Sequence, residues 1–276
     1  MNLITFKARR NGKLSEEILD YFNGAASYSL VMKLIRKKDV KLNGRRTGRD
    51  EQTEAGDEIS VYAEITDERA EKTIYEDENI LVLVKPKGIT SEDFYELIKK
   101  KRKNARFIHR LDRNTDGIMI FALNDTAERE LLKGFKDRTF KKYYITKAAG
   151  TFDKKEGALT AYLMKNAEKA EVKIFDEPKN GAEKIITKYK VLSEGDGFSV
   201  LEIELVTGKT HQIRAHLSHV GHPIIGDGKY GYKSINERFK EKSQVLTAYK
   251  IQLFFNKESP LKNLDGKTFE IKTQNI

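Results

Sequence analysis

Five consecutive apolar residues, Ile80 to Val84, run up to Lys85 and stop at Pro86 and Gly88. A run this short, rich in β-branched side chains and closed by a turn signal, fits a buried strand and is too short for a core helix. GIMIFAL (117–123) repeats the pattern behind the turn-forming NTDG (114–117). LEIEL (201–205) alternates strictly, as a half-buried strand does. Helical stretches lie among these runs without a regular strand–helix alternation. That favours an α+β fold over a doubly wound parallel sheet. The 276 residues allow one large domain or two smaller ones.

The chain divides into three blocks. In residues 1–62, LSEEILDYF (14–22) and SLVMKLIRKKDV (29–40) have helical spacing, with Leu30, Leu34 and Lys37 on one face and Val31 and Ile35 beside them. Asn43-Gly44 predicts a hairpin turn, and a further turn at Gly56 precedes a short strand. Lys33, Arg36, Lys37, Lys41 and Arg45 belong to a segment, 29–49, with eight basic residues and one acid. Residues 63–72 are polar and weakly patterned, which predicts a linker. Residues 73–276 form the third block.

The formal net charge is +10. Such a balance points to an anionic partner, nucleic acid first, against a protein that is simply lysine-rich. With no cysteine, disulfides, thiolate catalysis and cysteine-type zinc sites are excluded. No segment approaches the roughly 18 consecutive apolar residues of a membrane helix. The first residues lack a signal-peptide core, so a cytoplasmic location is expected.

Three stretches could carry chemistry. In FIHRLDRNTDGIMIFA (107–122), Asp112 stands between Arg110 and Arg113 on a loop leading into a strand. Functional groups often sit on such loops; the plainer reading is a surface ion pair. The preceding residues 98–110 hold seven basic side chains and no acid, which suggests a phosphate-binding approach. In TGKTHQIRAH (207–216), residues 210–220 read as a helix with Ile213, Leu217 and Val220 on its apolar face. His211 and Arg214, three apart, share a side of it. Four of the five histidines fall within 211–222, but His211 and His216 are splayed and no H-E-x-x-H pattern is present. Donation to RNA or to nearby loops therefore outweighs metal binding. TFKKYYITKAAG (139–150) reads as a strand with Tyr144 and Ile145 on opposite faces. Tyr144 could stack on a base or be an ordinary core aromatic.

Taken together, HRLDR (109–113), TGKTHQIRAH (207–216) and GHPIIGDGKYG (221–231) resemble the RluA-type pseudouridine synthases. KPKG (85–88) and KKYYITKAAG (141–150) match two further family segments, in the family's order. The N-terminal block resembles the alpha-L RNA-binding module of ribosomal small-subunit protein four. The resemblance implies a mostly antiparallel mixed sheet in a catalytic domain, residues 73–276, behind a small RNA-binding module. It implies isomerisation of uridine to pseudouridine in structured RNA, without cofactor or metal. Large-subunit ribosomal RNA is favoured over transfer RNA as substrate.

By the same resemblance the reacting aspartate is Asp112, its basic partner Arg214, and the tyrosine beside the flipped uracil Tyr144. Arg110 would fill the stack that the base leaves. His109, Arg113, Lys209 and His211 would join Lys33, Arg36, Lys37, Lys41 and Arg45 in contacting RNA. Arg214 would favour the ionised carboxylate against the cost of burial. The sequence departs from the family's pattern at Asp116, Thr146, Lys147 and Lys209, and its stretch between Gly88 and His109 is short. Two other readings compete. A non-catalytic RNA-binding or ribosome-assembly protein explains the charge but not the conjunction of Asp112, Tyr144 and Arg214. A metal-dependent phosphodiesterase would use the histidines but lacks a carboxylate cluster.

Overall fold

The computed structural model describes residues 2–22, 26, 28–63, 72–166 and 171–273. It divides into two compact units, Met1–Glu71 and Lys72–Ile276. The first comprises β1 (Asn2–Lys7), β2 (Gly12–Lys13), α1 (Leu14–Phe22), α2 (Tyr28–Arg36), β3 (Val40–Leu42), β4 (Arg45–Thr47), β5 (Gln52–Thr53) and β6 (Glu58–Ala63). An antiparallel sheet runs β1-β6-β3-β4. Asn43 and Gly44 close its β3–β4 hairpin at φ 49° and 78°, the positive angles that a two-residue turn matching the sheet's twist requires.

Helix α2 ends four residues earlier than the spacing suggests. Lys38 adopts φ 60°, its N–H bonds the Ile35 carbonyl, and the Asp39 N–H bonds the Leu34 carbonyl. This double closure terminates a helix by satisfying its last carbonyls. Consequently Val31, Leu34 and Ile35 face the core, whereas Lys37 is exposed. The polar stretch expected to be a linker lies, for residues 64–71, outside the described residues; Lys72 opens the next strand.

The second unit contains β7 (Lys72–Glu76), β8 (Ile80–Lys85), α3 (Ser91–Lys101), β9 (Arg106–Phe107), β10 (Asp116–Ala122), α4 (Asp125–Asp137), β11 (Lys141–Ala149) and β12 (Glu156–Asn166). β13 (Glu171–Phe175), β14 (Glu183–Gly195), β15 (Phe198–Leu205), α5 (Gln212–His219), α6 (Lys233–Phe239), β16 (Leu246–Gln252) and β17 (Thr268–Glu270) complete it. Its sheet runs β13-β12-β14-β15-β11-β16-β10-β8-β7, with β17 on β16 and β9 on β10. Among the described strands only β10 and β16 pair in parallel. The fold is therefore α+β with a mostly antiparallel mixed sheet.

The apolar runs of β8 and β10 are buried on both faces of this sheet. Leu81, Leu83, Met119 and Phe121 point to one side, where α3 and α5 supply Phe94, Ile98, Ile213 and Leu217. Ile80, Val82, Ile118 and Ile120 point to the other, against Ala127 and Leu131 of α4. Two-sided burial explains why these runs are continuously apolar rather than alternating. In β11 the period of two places Tyr144 on the first side and Ile145 on the second.

Candidate active site

The loop from Ile108 to Thr115 is fastened before it presents its acid. The Ser91 hydroxyl donates to the Leu111 carbonyl at 2.9 Å and accepts the Leu111 N–H at 2.8 Å. The wholly buried Lys85 ammonium donates to the carbonyls of Pro86, Ile89 and Arg113. Burial pulls Lys85 down to about 8, while the charges of Asp116 and Asp112 act the other way. Gln244 donates to the Thr115 hydroxyl at 2.8 Å. At Gly117, φ is 124° and a Cβ would come within 2.2 Å of the Ala248 carbonyl oxygen, so only glycine lets β10 leave the loop beside β16.

Asp112 projects from this loop with its side chain 23% exposed. Its Oδ2 accepts Arg214 Nη1–H at 2.9 Å. Arg214 comes from α5 and is itself gripped from behind. Its Nε donates to Asp227 Oδ2 at 2.8 Å and its Nη2 to Asp227 Oδ1 at 3.0 Å. Asp227 is fully buried and also accepts the backbone N–H of Lys229 and Tyr230. Burial pushes its carboxyl up, but the Arg214 pair and the two N–H groups outweigh that and hold it below the ordinary carboxylate range. One guanidinium thus spans two carboxylates, the inner one permanent and the outer one facing open space. Burial opposes the Arg214 charge, yet its two acids raise it above the ordinary arginine value.

Helix α5 starts later than its spacing suggests, because His211 stands at φ 54° as the residue before Gln212. Gln212 is the lock of that turn. Its Oε1 accepts Lys209 N–H and the Thr207 hydroxyl, and its Nε2 donates to Ile186 and Thr187. His211 Nδ1 meets the Tyr230 hydroxyl at 2.9 Å, and its Nε2 stands 4.0 Å from Asp112 Oδ1. The phenol of Tyr144 faces the same cleft; burial, and then the Asp112 charge, push it well above the usual tyrosine range, so it stays neutral.

Asp112, Tyr144, His211 and Arg214 line a cleft of about 410 Å³, within the range of small-ligand pockets. Arg110, Lys136, Arg138, Lys142, Lys209 and Arg214 all line it, and among the described residues Asp112 is the one carboxylate that does. Among the described residues no group of three or more histidines and acids could hold a metal.

The profile of the RNA pseudouridylate synthase family matches residues 79–219, the span that carries the Asp112 loop, Tyr144 and Arg214. The chain belongs to this family. It is an isomerase that acts on uridine in RNA. An RNA pseudouridine synthase of Aquifex aeolicus is 31% identical over 250 residues, covering 79% of this chain and 78% of that one. The ribosomal large subunit pseudouridine synthase C of Vibrio cholerae is 30% identical over 230 residues, covering 74% and 72%. The solved human RNA pseudouridylate synthase domain containing 1 shares the fold, with a TM-score of 0.62 at 24% identity over 75% of this chain and 84% of that one.

Not every residue singled out in the synthase sequence reaches the cleft as an RNA contact. His109 lines it, but its Nε2 accepts the Ile120 N–H at 3.0 Å and its ring stacks on Phe135. Burial, then the nearby Lys142 charge, lower it to about 3, so it offers no cation to a phosphate. Arg113 is not among the lining residues; its Nε ties the loop to the Gly88 carbonyl. The basic approach at 98–110 is partly structural, since Arg102 pairs with Glu76 and Arg106 with Asp125 and Glu128. Arg110 sits at the rim, 3.5 Å from Glu92, and Lys209 meets Glu183. Lys33, Arg36, Lys37 and Arg45 are exposed in the first unit, and Lys41 stands over the Tyr62 ring. Arg45 also meets Glu51 at 2.6 Å.

Four residues of the candidate site were missed in the sequence. Lys136, Arg138 and Lys142 lie in KDRTFKK (136–142), whose density of basic residues was their signal. Asp227 lies in GHPIIGDGKYG, and nothing local announces that it reaches Arg214.

Proposed function

We propose that Asp112 is the reacting group, and that its substrate is a uridine of large-subunit ribosomal RNA. One observation carries the assignment: among the described residues Asp112 is the single carboxylate lining the cleft, and it is held by an arginine that a buried second acid keeps fixed. Pseudouridine formation breaks the N1–C1′ bond, turns the uracil, joins C5 to C1′, and moves the C5 proton to solvent while N1 gains one. A base in folded RNA first leaves its stack, at a cost of a few kcal/mol. Arg110, exposed at the rim, would occupy the gap with a planar cation. The neutral Tyr144 phenol would lie against the uracil. Arg214 would hold Asp112 aimed at the substrate.

The ribosomal target follows the names of relatives such as the Vibrio cholerae protein; transfer RNA is the second possibility. The exposed basic residues of the first unit would contact phosphate. Among the described residues no helix is long and apolar enough to cross a membrane, which fits the cytoplasmic setting proposed with this RNA. The test is tritium release from RNA labelled at uracil C5, after mapping the pseudouridine that disappears when the gene is removed. Asp112→Asn should bind RNA and release no tritium. A folded Asp112→Asn protein that releases tritium at the parent rate would remove Asp112 from the chemistry.

A further inference from the structure

His211 is held in an unusual way. Its backbone occupies the left-handed region at φ 54°, a conformation that non-glycine residues keep only where their surroundings impose it. The locked turn at Gln212 imposes it here, and the result aims the imidazole across the cleft at Asp112.

Tyr230 sets the imidazole's tautomer. Its hydroxyl oxygen accepts the Val172 N–H at 3.1 Å and meets His211 Nδ1 at 2.9 Å. If Nδ1 carried the hydrogen, the tyrosine oxygen would accept twice and its own proton would find no acceptor in this pair of contacts. Donation from Tyr230 O–H to Nδ1 satisfies all three groups, and it leaves the hydrogen on Nε2. Burial, opposed by the Asp112 charge, keeps this histidine below its ordinary value, so the ring is a neutral donor.

Across from Nε2–H lies Asp112 Oδ1, the oxygen that Arg214 does not bond. The two atoms are 4.0 Å apart. That is too far for a direct hydrogen bond. An oxygen about 2.8 Å from each spans the gap, with an angle near a right angle between the two bonds. The spanning atom must accept from nitrogen and donate to carboxylate. A hydroxyl does both with one atom, whereas the uracil edge would need two.

We infer that His211 Nε2–H and Asp112 Oδ1 together grip the 2′-hydroxyl of the target ribose, which makes His211 the residue that selects a ribonucleotide at the reacting position. The inference rests on the reading of Asp112 as the reacting group: the bond broken and the bond made both end at C1′, and C2′ is bonded to that carbon. It also gives the cleft a means of telling RNA from DNA at the one nucleotide it transforms.

The test uses product RNA, in which no turnover occurs, with pseudouridine or 2′-deoxypseudouridine at the mapped position. The full-length protein should bind the ribose form about tenfold more tightly, the order expected of one hydrogen-bonded hydroxyl. His211→Asn suits the left-handed backbone but is too short to reach, and should bind both RNAs alike. His211→Gln restores a reaching N–H donor and should recover part of the preference. Tyr230→Phe frees the tautomer and should weaken the preference without abolishing it. Retention of the full preference by His211→Asn, or its absence in the parent protein, overturns the inference. Tritium release by Asp112→Asn reads the chemistry separately, so an inactive Asp112→Asn protein beside an unselective parent would sink only the ribose grip.

Discussion

Replacing Asp227 by asparagine separates the two carboxylates that Arg214 joins. Asp227 is fully buried and accepts four hydrogen bonds, from Arg214 Nε and Nη2 and from the Lys229 and Tyr230 N–H groups. An amide offers one oxygen and places an NH₂ against a donor on whichever side it turns. It also leaves a buried guanidinium, 9% exposed, without its permanent counter-charge. Breaking a buried pair in this way costs about 3–5 kcal/mol. At roughly 2–4 °C per kcal/mol for a domain of this size, the melting temperature should fall by about 10 °C. Asp112→Asn is the matched control. Asp112 is 23% exposed and accepts one bond from Arg214, which an amide oxygen can still accept. It should change stability by no more than about 1 kcal/mol while abolishing turnover. Urea unfolding gives both stabilities and tritium release both rates. If Asp112→Asn were the more destabilising of the two, or Asp227→Asn lay within about 1 kcal/mol of the parent, the assignment of inner anchor and outer reactive acid would be wrong.

Two further outcomes are expected. Lys142 lines the cleft, where burial and the neighbouring Arg138 charge hold its ammonium below the ordinary lysine value; Lys142→Gln should weaken RNA binding and reduce the slope of log K against log salt by about one. An unchanged slope would show that Lys142 meets no phosphate. His216 is buried against Thr187, and burial, then the His219 charge, lower it to about 4. The unfolded chain, titrating at about 6.5, then binds more protons between the two values, so stability should fall as pH drops through that window, by at most roughly 3 kcal/mol. Urea unfolding at neutral pH and at the acid end of the window should show a smaller loss for His216→Gln than for the parent; equal losses would assign the acid sensitivity to other groups.

The strands of the synthase domain and the opposite faces of Tyr144 and Ile145 were legible in the sequence, because side-chain periodicity records which surfaces must leave water. The Asn43-Gly44 turn was legible because few residues tolerate its backbone angles. Asp112, Tyr144 and Arg214 were legible as motif positions, each marked by its own neighbours. What joins them was not. The parallel pairing of β10 with β16 brings Thr247 to Asp116 across 131 residues, and the contact of Arg214 with Asp112 spans 102. No local pattern encodes such a pairing, since it exists only after the sheet has assembled. The same holds for the left-handed turn that aims His211, for the cations that the end of α4 and the start of β11 bring into the cleft, and for Asp227. A buried acid reads in sequence like any exposed one, and its partner is decided by the packing that removes both from water.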